Sequence, residues 1–139
     1  MKLARILIGA FFVFAGVMHF VNPGIYLEMM PDWIPLHGPA VFWSGVAELV
    51  GGLALFFDRT ARLGGVWLIL VLIAVYPANV QMALDPDSVP WVVRNEIPGW
   101  VLWLRLPLQP LLGYAIWIVT KDVGRTEAQP GPSSPSSPF

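Results

Sequence analysis

Five polar side chains lie within segments of the chain that are otherwise almost entirely apolar. Glu48 could carry a proton, and the guanidinium of Arg105 could hold an anion or a carbonyl oxygen. His19, Asn79 and Gln109 add a titratable ring and two amides. A charged group at membrane depth costs at least ~2.5 kcal/mol on insertion scales, so such residues usually have a partner or a role. We therefore treat these five as a candidate ligand-binding site or buried polar cluster.

The composition indicates that these residues belong to a membrane protein. The chain has 139 residues, of which 56% are hydrophobic and 12% charged. A soluble domain carries roughly 25% charged residues. The chain has no cysteine, which excludes disulfides, thiol catalysis and iron–sulfur ligation by this chain alone. With a formal net charge of −1 there is no reason to expect nucleic acid as a partner. The lipid bilayer is the expected partner.

Four apolar segments are long enough to span a bilayer, which predicts an all-α, integral membrane four-helix bundle. The predicted spans are Leu3–Val21, Pro39–Phe57, Ala61–Val80 and Gly99–Thr120. Prolines in Asn22–Gly38 and Gln81–Pro98 predict loops, and Tyr26 in the first loop is expected at headgroup level. The very short polar turn before Ala61 makes the second and third spans antiparallel neighbours. Residues 1–120 should form this domain, and residues 121–139 a disordered Pro/Ser-rich cytoplasmic tail.

The distribution of basic residues predicts that both termini lie in the cytoplasm (N-in/C-in). The inside then holds Lys2, Arg5, Arg59, Arg62, Lys121 and Arg125, whereas the outside loops hold Arg94 alone. At a rise of 1.5 Å per residue, Glu48, Arg105 and Gln109 lie ~9–15 Å below the outer surface. His19 and Asn79 close their spans at the outer end. The simplest arrangement points all five polar groups at a common interior, with Glu48 and Arg105 as an ion pair.

A purely structural interpretation stays open for each of these residues. The Glu48–Arg105 pair could serve only to fix helix register, and His19 could cap the end of its helix. Pro77 is expected to kink the third span, and Pro107 and Pro110 to break or kink the fourth. Breaks at membrane depth require other groups to satisfy the freed backbone. Asn79 and Gln109, which lie beside these prolines, could serve that purpose.

Other kinds of site are not indicated. Two histidines, His19 and His37, and one intramembrane carboxylate do not make a defined ligand set, so no metal site is predicted. The patterns typical of dinucleotide binding, phosphate loops, zinc proteases and serine hydrolases do not occur in the sequence.

The spans also carry short motifs in a characteristic order. The second contains Ser44–Gly45–x–x–Glu48 followed by Gly51–Gly52, and the fourth contains Arg105–Leu106–Pro107–Leu108–Gln109. The remaining ones are Arg5, Gly16, His19–Phe20, Pro31, Pro35, Arg62 and Pro77–Ala78–Asn79. In this order and spacing, residues 1–120 resemble the DoxX-like family of small four-helix bacterial membrane proteins.

The resemblance implies a multi-pass protein of the bacterial plasma (inner) membrane. Relatives in that family include the small membrane subunits of a thiosulfate:quinone oxidoreductase, and others are linked to redox or sulfur stress. A redox-associated function is therefore expected, with a quinone as the candidate cofactor and a membrane or redox protein as a candidate partner. Some relatives carry redox cysteines, and this chain departs from them because it has none. The five polar positions would be site or core residues.

Two functional hypotheses follow, together with a weaker third. The chain could be a membrane subunit or small enzyme with a quinone or small-anion pocket in the outer half, where Arg105 holds the ligand and Glu48 moves a proton. Alternatively, it could be a non-catalytic scaffold or assembly partner whose polar cluster is structural. A transporter is disfavoured, because four spans show no inverted repeat. Enzymatic activity and assembly into a homo-oligomer stay open.

Overall fold

The computed structural model describes residues 1–124, which form helices joined by short connections. In chain order these are α1 (Lys2–Val21), α2 (Pro23–Met29), α3 (His37–Ala54), α4 (Asp58–Leu84), α5 (Pro90–Arg94) and α6 (Gly99–Thr120), with a 3-10 turn at Pro86–Ser88. No residue of this part of the chain lies in a strand. Within it, three helices, α1, α4 and α6, are long and apolar enough to cross a membrane. The chain is therefore an all-helical protein with the character of a membrane protein.

Prolines set where the first helices begin and end. α1 ends at Val21 because Asn22 precedes Pro23 and adopts a non-helical conformation, φ −135° and ψ 65°. Pro23 then occupies the first position of α2, where its missing N–H costs no helical hydrogen bond. The predicted loop Asn22–Gly38 thus contains a helix, and the expectation of a loop throughout is wrong. The second predicted loop likewise contains α5.

The second and third predicted spans differ in length from the helices that form. α3 begins two residues before the predicted Pro39 and ends three before Phe57. With 18 residues it reaches ~27 Å, and it is not among the three helices long and apolar enough to span, because it includes His37 and Glu48. α4 is longer than predicted at both ends. Its first turn contains Asp58, whose negative charge suits a helix N-terminus.

The long helices of residues 1–124 pack in a closed ring. α1 packs on α3, α3 on α4, α4 on α6, and α6 back on α1. The contact between α3 and α4 agrees with the prediction from their short connection. One core is formed by Phe12 of α1, Leu68 of α4, Ile116 of α6 and Leu55, the residue that follows α3. A second core closes the end of the ring at α5, where Met82, Ala83, Val89, Val92 and Leu102 pack together.

The prolines in the long helices do not end them. Pro77 lies inside α4, and Pro107 and Pro110 lie inside α6, which runs from Gly99 to Thr120 as predicted. A break at the two α6 prolines is therefore not observed. After α6, residues 121–124 form a turn. The rest of the predicted disordered tail, residues 125–139, lies outside the described part of the chain.

Candidate functional site

Glycines let α1 and α3 approach closely enough to bring two polar side chains together. A Cβ added to Gly16 would lie 2.9 Å from the Gly45 carbonyl oxygen, and one added to Gly45 would lie 2.6 Å from the His19 Cβ. Both distances are shorter than real Cβ contacts, so each position requires glycine. His19 follows Gly16 by one turn, and Glu48 follows Gly45 by one turn. The close approach of the helices therefore places His19 opposite Glu48.

His19 and Glu48 form a mostly buried pair. The His19 Nε2 lies 3.5 Å from the Glu48 Oε2, and the two side chains are 8% and 15% exposed. The other ring nitrogen, Nδ1, lies 3.1 Å from the Val41 carbonyl oxygen. Because a carbonyl only accepts, Nδ1–H is the donor, which leaves Nε2 to face the carboxylate.

Tyr26 completes this group from α2. Its ring stacks on the His19 imidazole at a centroid distance of 3.7 Å and an interplanar angle of 21°. Burial raises the pKa of the Tyr26 phenol above its ordinary value, and the negative charge of Glu48 raises it further. The phenol therefore stays neutral and protonated over the ordinary pH range. It lies against His19 because the turn at Asn22 folds α2 back onto the end of α1.

Arg105 does not pair with Glu48, and that prediction is wrong. The ion pairs found within residues 1–124 join Glu48 to His19, Arg5 to Asp58 and Glu28 to Arg94. Arg105 is exposed on α6, with its Nη1 3.7 Å from the Met82 Sδ. The physical reason is the order of helices in the ring, where α3 and α6 each pack on α1 and α4 and lie diagonally.

Asn79 and Gln109 form a second polar pair, between α4 and α6. The Asn79 Nδ2 donates to the Gln109 Oε1 at 2.6 Å, and the Gln109 Nε2 donates to the Leu72 carbonyl oxygen at 2.6 Å. Gln109 thus holds α4 through a side chain and a backbone group at once. The five predicted residues consequently divide into His19 with Glu48, Asn79 with Gln109, and Arg105 by itself. The single common interior expected from depth and helix face does not form.

A groove of about 510 Å³ runs beside the second pair, between α4 and α6. Its lining residues are Leu72, Ile73, Tyr76, Pro77, Gln109 and Pro110. Ile73 and the two prolines are exposed on the outer surface of the ring. Tyr76 has no hydrogen-bond partner among residues 1–124. The groove is therefore apolar, opens away from the core, and carries one unused O–H donor.

A third polar contact, between Arg5 and Asp58, was not expected from the sequence. Arg5 is 2% exposed and donates through Nη2 to the Asp58 carboxylate at the start of α4. A signal for it exists, because the buried residues of α1 are Arg5, Gly9, Phe12, Gly16 and His19. Their steps of four and three place Arg5 on the glycine face. Neither its place among the cytoplasmic basic residues nor its place among the motif residues indicated this ion pair.

Comparison of the chain with known protein families gives a match to a family model. A family model described as a domain of unknown function (DUF8561) matches residues 8–120, from the second turn of α1 to the end of α6. No curated protein and no solved structure matches the chain. Nothing in these matches links it to the DoxX-like family, so that resemblance stays a prediction.

Proposed function

Since the chain belongs to the DUF8561 family, whose description assigns no activity, we propose its function from the geometry. It is an integral membrane protein of DoxX type that binds a quinone-like ligand in the groove between α4 and α6, as a redox-associated membrane subunit. It lies in the bacterial inner membrane, crosses it four times through α1, α3, α4 and α6, and has both termini in the cytoplasm.

The arrangement of helix ends supports four crossings. Lys2 and Arg5 of α1, Arg59 of α4 and Val119 of α6 line one cavity, so the start of α1, the start of α4 and the end of α6 share one end of the ring. This end carries most of the basic residues, as a cytoplasmic face does. α3 then has to cross back to the same end before α4 begins. Its ~27 Å length is close to the ~30 Å of a bilayer core.

The observation that carries the ligand proposal is the unused Tyr76 hydroxyl in the groove. A quinone ring has two carbonyl oxygens that accept hydrogen bonds, and the phenol O–H is a suitable donor. Pro77 has no N–H to donate to the Ile73 carbonyl, one helical turn earlier in α4. The Ile73 carbonyl oxygen can therefore accept a hydrogen bond from a hydroxyl group of the reduced ligand. The volume of about 510 Å³ falls within the range of small-molecule sites, roughly 300–1,000 Å³.

The position of the groove suits a ligand that enters from lipid. Gln109 lies ten residues into α6, ~15 Å from its start, which is near the midplane of a ~30 Å core. The apolar lining accepts an isoprenoid chain, whereas Arg105 does not line the groove. In this proposal Tyr76, and not Arg105 as in the first hypothesis, makes the polar contact to the ligand. Electrons would have to come from a partner protein, because the chain has no cysteine for redox chemistry.

Quinone binding to two tyrosine variants tests the proposal. Wild type, Tyr76→Phe and Tyr114→Phe would be placed in phosphatidylcholine nanodiscs and titrated with a short-chain benzoquinone and a short-chain naphthoquinone. Tyr114 is exposed on the same helix bundle and does not line the groove, so its variant is the matched control. Loss of a neutral hydrogen bond should weaken binding by Tyr76→Phe about two- to tenfold. Equal affinities for all three proteins, or no binding by wild type, would reject the site.

The second candidate function is a scaffold, and one observation favours it. His19 with Glu48 joins α1 to α3, and Asn79 with Gln109 joins α4 to α6, so each polar pair holds two neighbouring helices. In that case wild type binds no quinone, and Gln109→Leu lowers the thermal stability because Gln109 holds α4 to α6. Quinone binding that Gln109→Leu weakens, at unchanged stability, would speak against a purely structural role.

A further inference from the structure

A second cavity lies at the basic end of the ring, away from the groove. It has a volume of about 430 Å³ and is lined by the starts of α1 and α4 and the end of α6. Its cations are Lys2, Arg5 and Arg59, and its carboxylates are Asp58 and Asp122. Apolar side chains of α6 and the turn after it form the remaining wall. The cavity therefore combines a net positive lining with an apolar side.

Arg5 is the buried cation of this cavity, and only part of its hydrogen-bonding capacity is used. Its side chain is 3% exposed and meets Asp58, whose side chain is 64% exposed. The Arg5 Nε has no hydrogen-bond partner in the described part of the chain. A buried guanidinium that keeps an unused donor costs free energy unless another acceptor reaches it. This second observation points to a ligand with oxygen acceptors.

The remaining cations are available to such a ligand. Lys2 and Arg59 are exposed and make no hydrogen bond or ion pair within 4 Å among residues 1–124. A neighbouring cavity of about 370 Å³ adds Arg62 and Lys121 at the same end. The first turns of α1 and α4 also lie here, and neither has a side-chain cap. Uncapped helix N-termini present N–H groups and a positive dipole end to an anion.

We propose that the cavity lined by Lys2, Arg5 and Arg59 binds a phosphate group at the cytoplasmic surface of the membrane. Arginine clusters match the oxygens of phosphate through paired N–H donors. Basic pockets between spanning helices on the cytoplasmic side bind the headgroups of anionic lipids. The phosphate can come from an anionic phospholipid, whose glycerol and acyl chains would lie on the apolar α6 wall, or from free phosphate. The proposal is independent of the quinone groove.

Lipid retention in native mass spectrometry tests the site. Wild type, Arg59→Gln, Arg59→Lys and Arg94→Gln would be released from nanodiscs that contain phosphatidylcholine and phosphatidylglycerol. Arg94 is an exposed arginine at the opposite end, so its variant removes the same charge elsewhere. Removal of one cation near the surface is worth roughly 1 kcal/mol, so Arg59→Gln should weaken phosphatidylglycerol binding about fivefold. Arg59→Lys and Arg94→Gln should retain it.

The outcomes separate the two sources of phosphate. Selective retention of phosphatidylglycerol that inorganic phosphate does not displace, lost in Arg59→Gln alone, assigns the site to a lipid. Binding of inorganic phosphate, detected by ³¹P NMR line broadening and lost in the same variant, assigns it to free phosphate. No preference over phosphatidylcholine together with no phosphate binding, or an equal loss in Arg94→Gln, overturns the proposal. Should Arg59→Gln fail to fold, Lys2→Gln replaces it with the same expected result.

Discussion

At the scale of single residues, Glu48 and His19 act as one unit. The Val41 carbonyl fixes the hydrogen on His19 Nδ1, and the Glu48 Oε2 has no hydrogen-bond partner in the described residues other than the contact to the ring. Removal of one member of a buried pair leaves the other without compensation, whereas removal of both does not. The two residues should therefore be coupled in stability. Glu48 and Arg105, which do not meet, should not be.

Double-mutant cycles distinguish these two pairs. His19→Ala and Glu48→Gln, alone and combined, should show a coupling of about 0.5–3 kcal/mol in the free energy of unfolding. Arg105→Ala combined with Glu48→Gln should be additive within about 0.5 kcal/mol. Reversible unfolding in detergent micelles, followed by helical circular dichroism, would give the six free energies. Strong coupling of Arg105 to Glu48 would show that the two residues form an ion pair, which contradicts the order of helices in the ring.

The ionisation of Tyr26 reports on the same unit. Its pKa lies above 10.0, the ordinary value, because of burial and the charge of Glu48. Glu48→Gln removes the second cause, so the Tyr26 pKa should fall towards that value. Since the folded-state pKa is the higher one, the contribution of Tyr26 to stability is complete below pH ~10 and is lost as the pH rises through the folded-state pKa.

Carbon-13 NMR of labelled tyrosine measures this change directly. The Cζ resonance of Tyr26 would be followed through an alkaline titration in wild type, Glu48→Gln and the control Glu28→Gln. Glu28 pairs with Arg94 and does not contribute to the Tyr26 shift. An unchanged Tyr26 titration in Glu48→Gln would mean that the carboxylate is neutral or too distant to act on the phenol.

At the scale of helices, the approach of α1 to α3 decides whether the pair can form at all. Gly16→Ala would place a Cβ 2.9 Å from both the Gly45 carbonyl oxygen and the Leu49 nitrogen, which are backbone atoms that cannot move aside. The helices must then separate, at a cost of about 1–3 kcal/mol, and His19 must withdraw from Glu48. Gly38→Ala, in α3 but with nothing within 4 Å of its Cβ, should instead be neutral or stabilising by up to ~1 kcal/mol. Thermal unfolding of both variants in one detergent measures the difference.

The helices were more predictable than their contacts. α6 has the predicted bounds and α1 nearly so, because long apolar runs between prolines and charges specify a helix without reference to neighbours. α2 was missed because a helix of seven residues, Pro23–Met29, is too short for its period to show. Depth and helix face indicated correctly that His19 and Gln109 are buried, but not that Arg105 is exposed, and they could not show which of four helices is adjacent to which. For that reason Glu48 was assigned to Arg105 instead of His19.

At the scale of the whole molecule, the remaining question of architecture is the passage of α3 across the membrane. Three helices are long and apolar enough to cross within residues 1–124, and α3 is the fourth member of their ring. If α3 crosses, the segment before it and the segment after α4 lie on the same side. If α3 does not cross, these two segments lie on opposite sides. The polar pair on α3 would then lie outside the bilayer core.

Single cysteines decide between the two arrangements, because the chain has none of its own. Asp32→Cys lies between α2 and α3, Asp87→Cys between α4 and α5, and Lys2→Cys at the start of α1. Four crossings with cytoplasmic termini predict that a membrane-impermeant maleimide labels the first two in intact spheroplasts, and the third only after permeabilisation. Labelling of Asp32→Cys but not Asp87→Cys would place α3 on the surface and leave three crossings. That result would also contradict the shared cavity at the starts of α1 and α4, and with it the phosphate site.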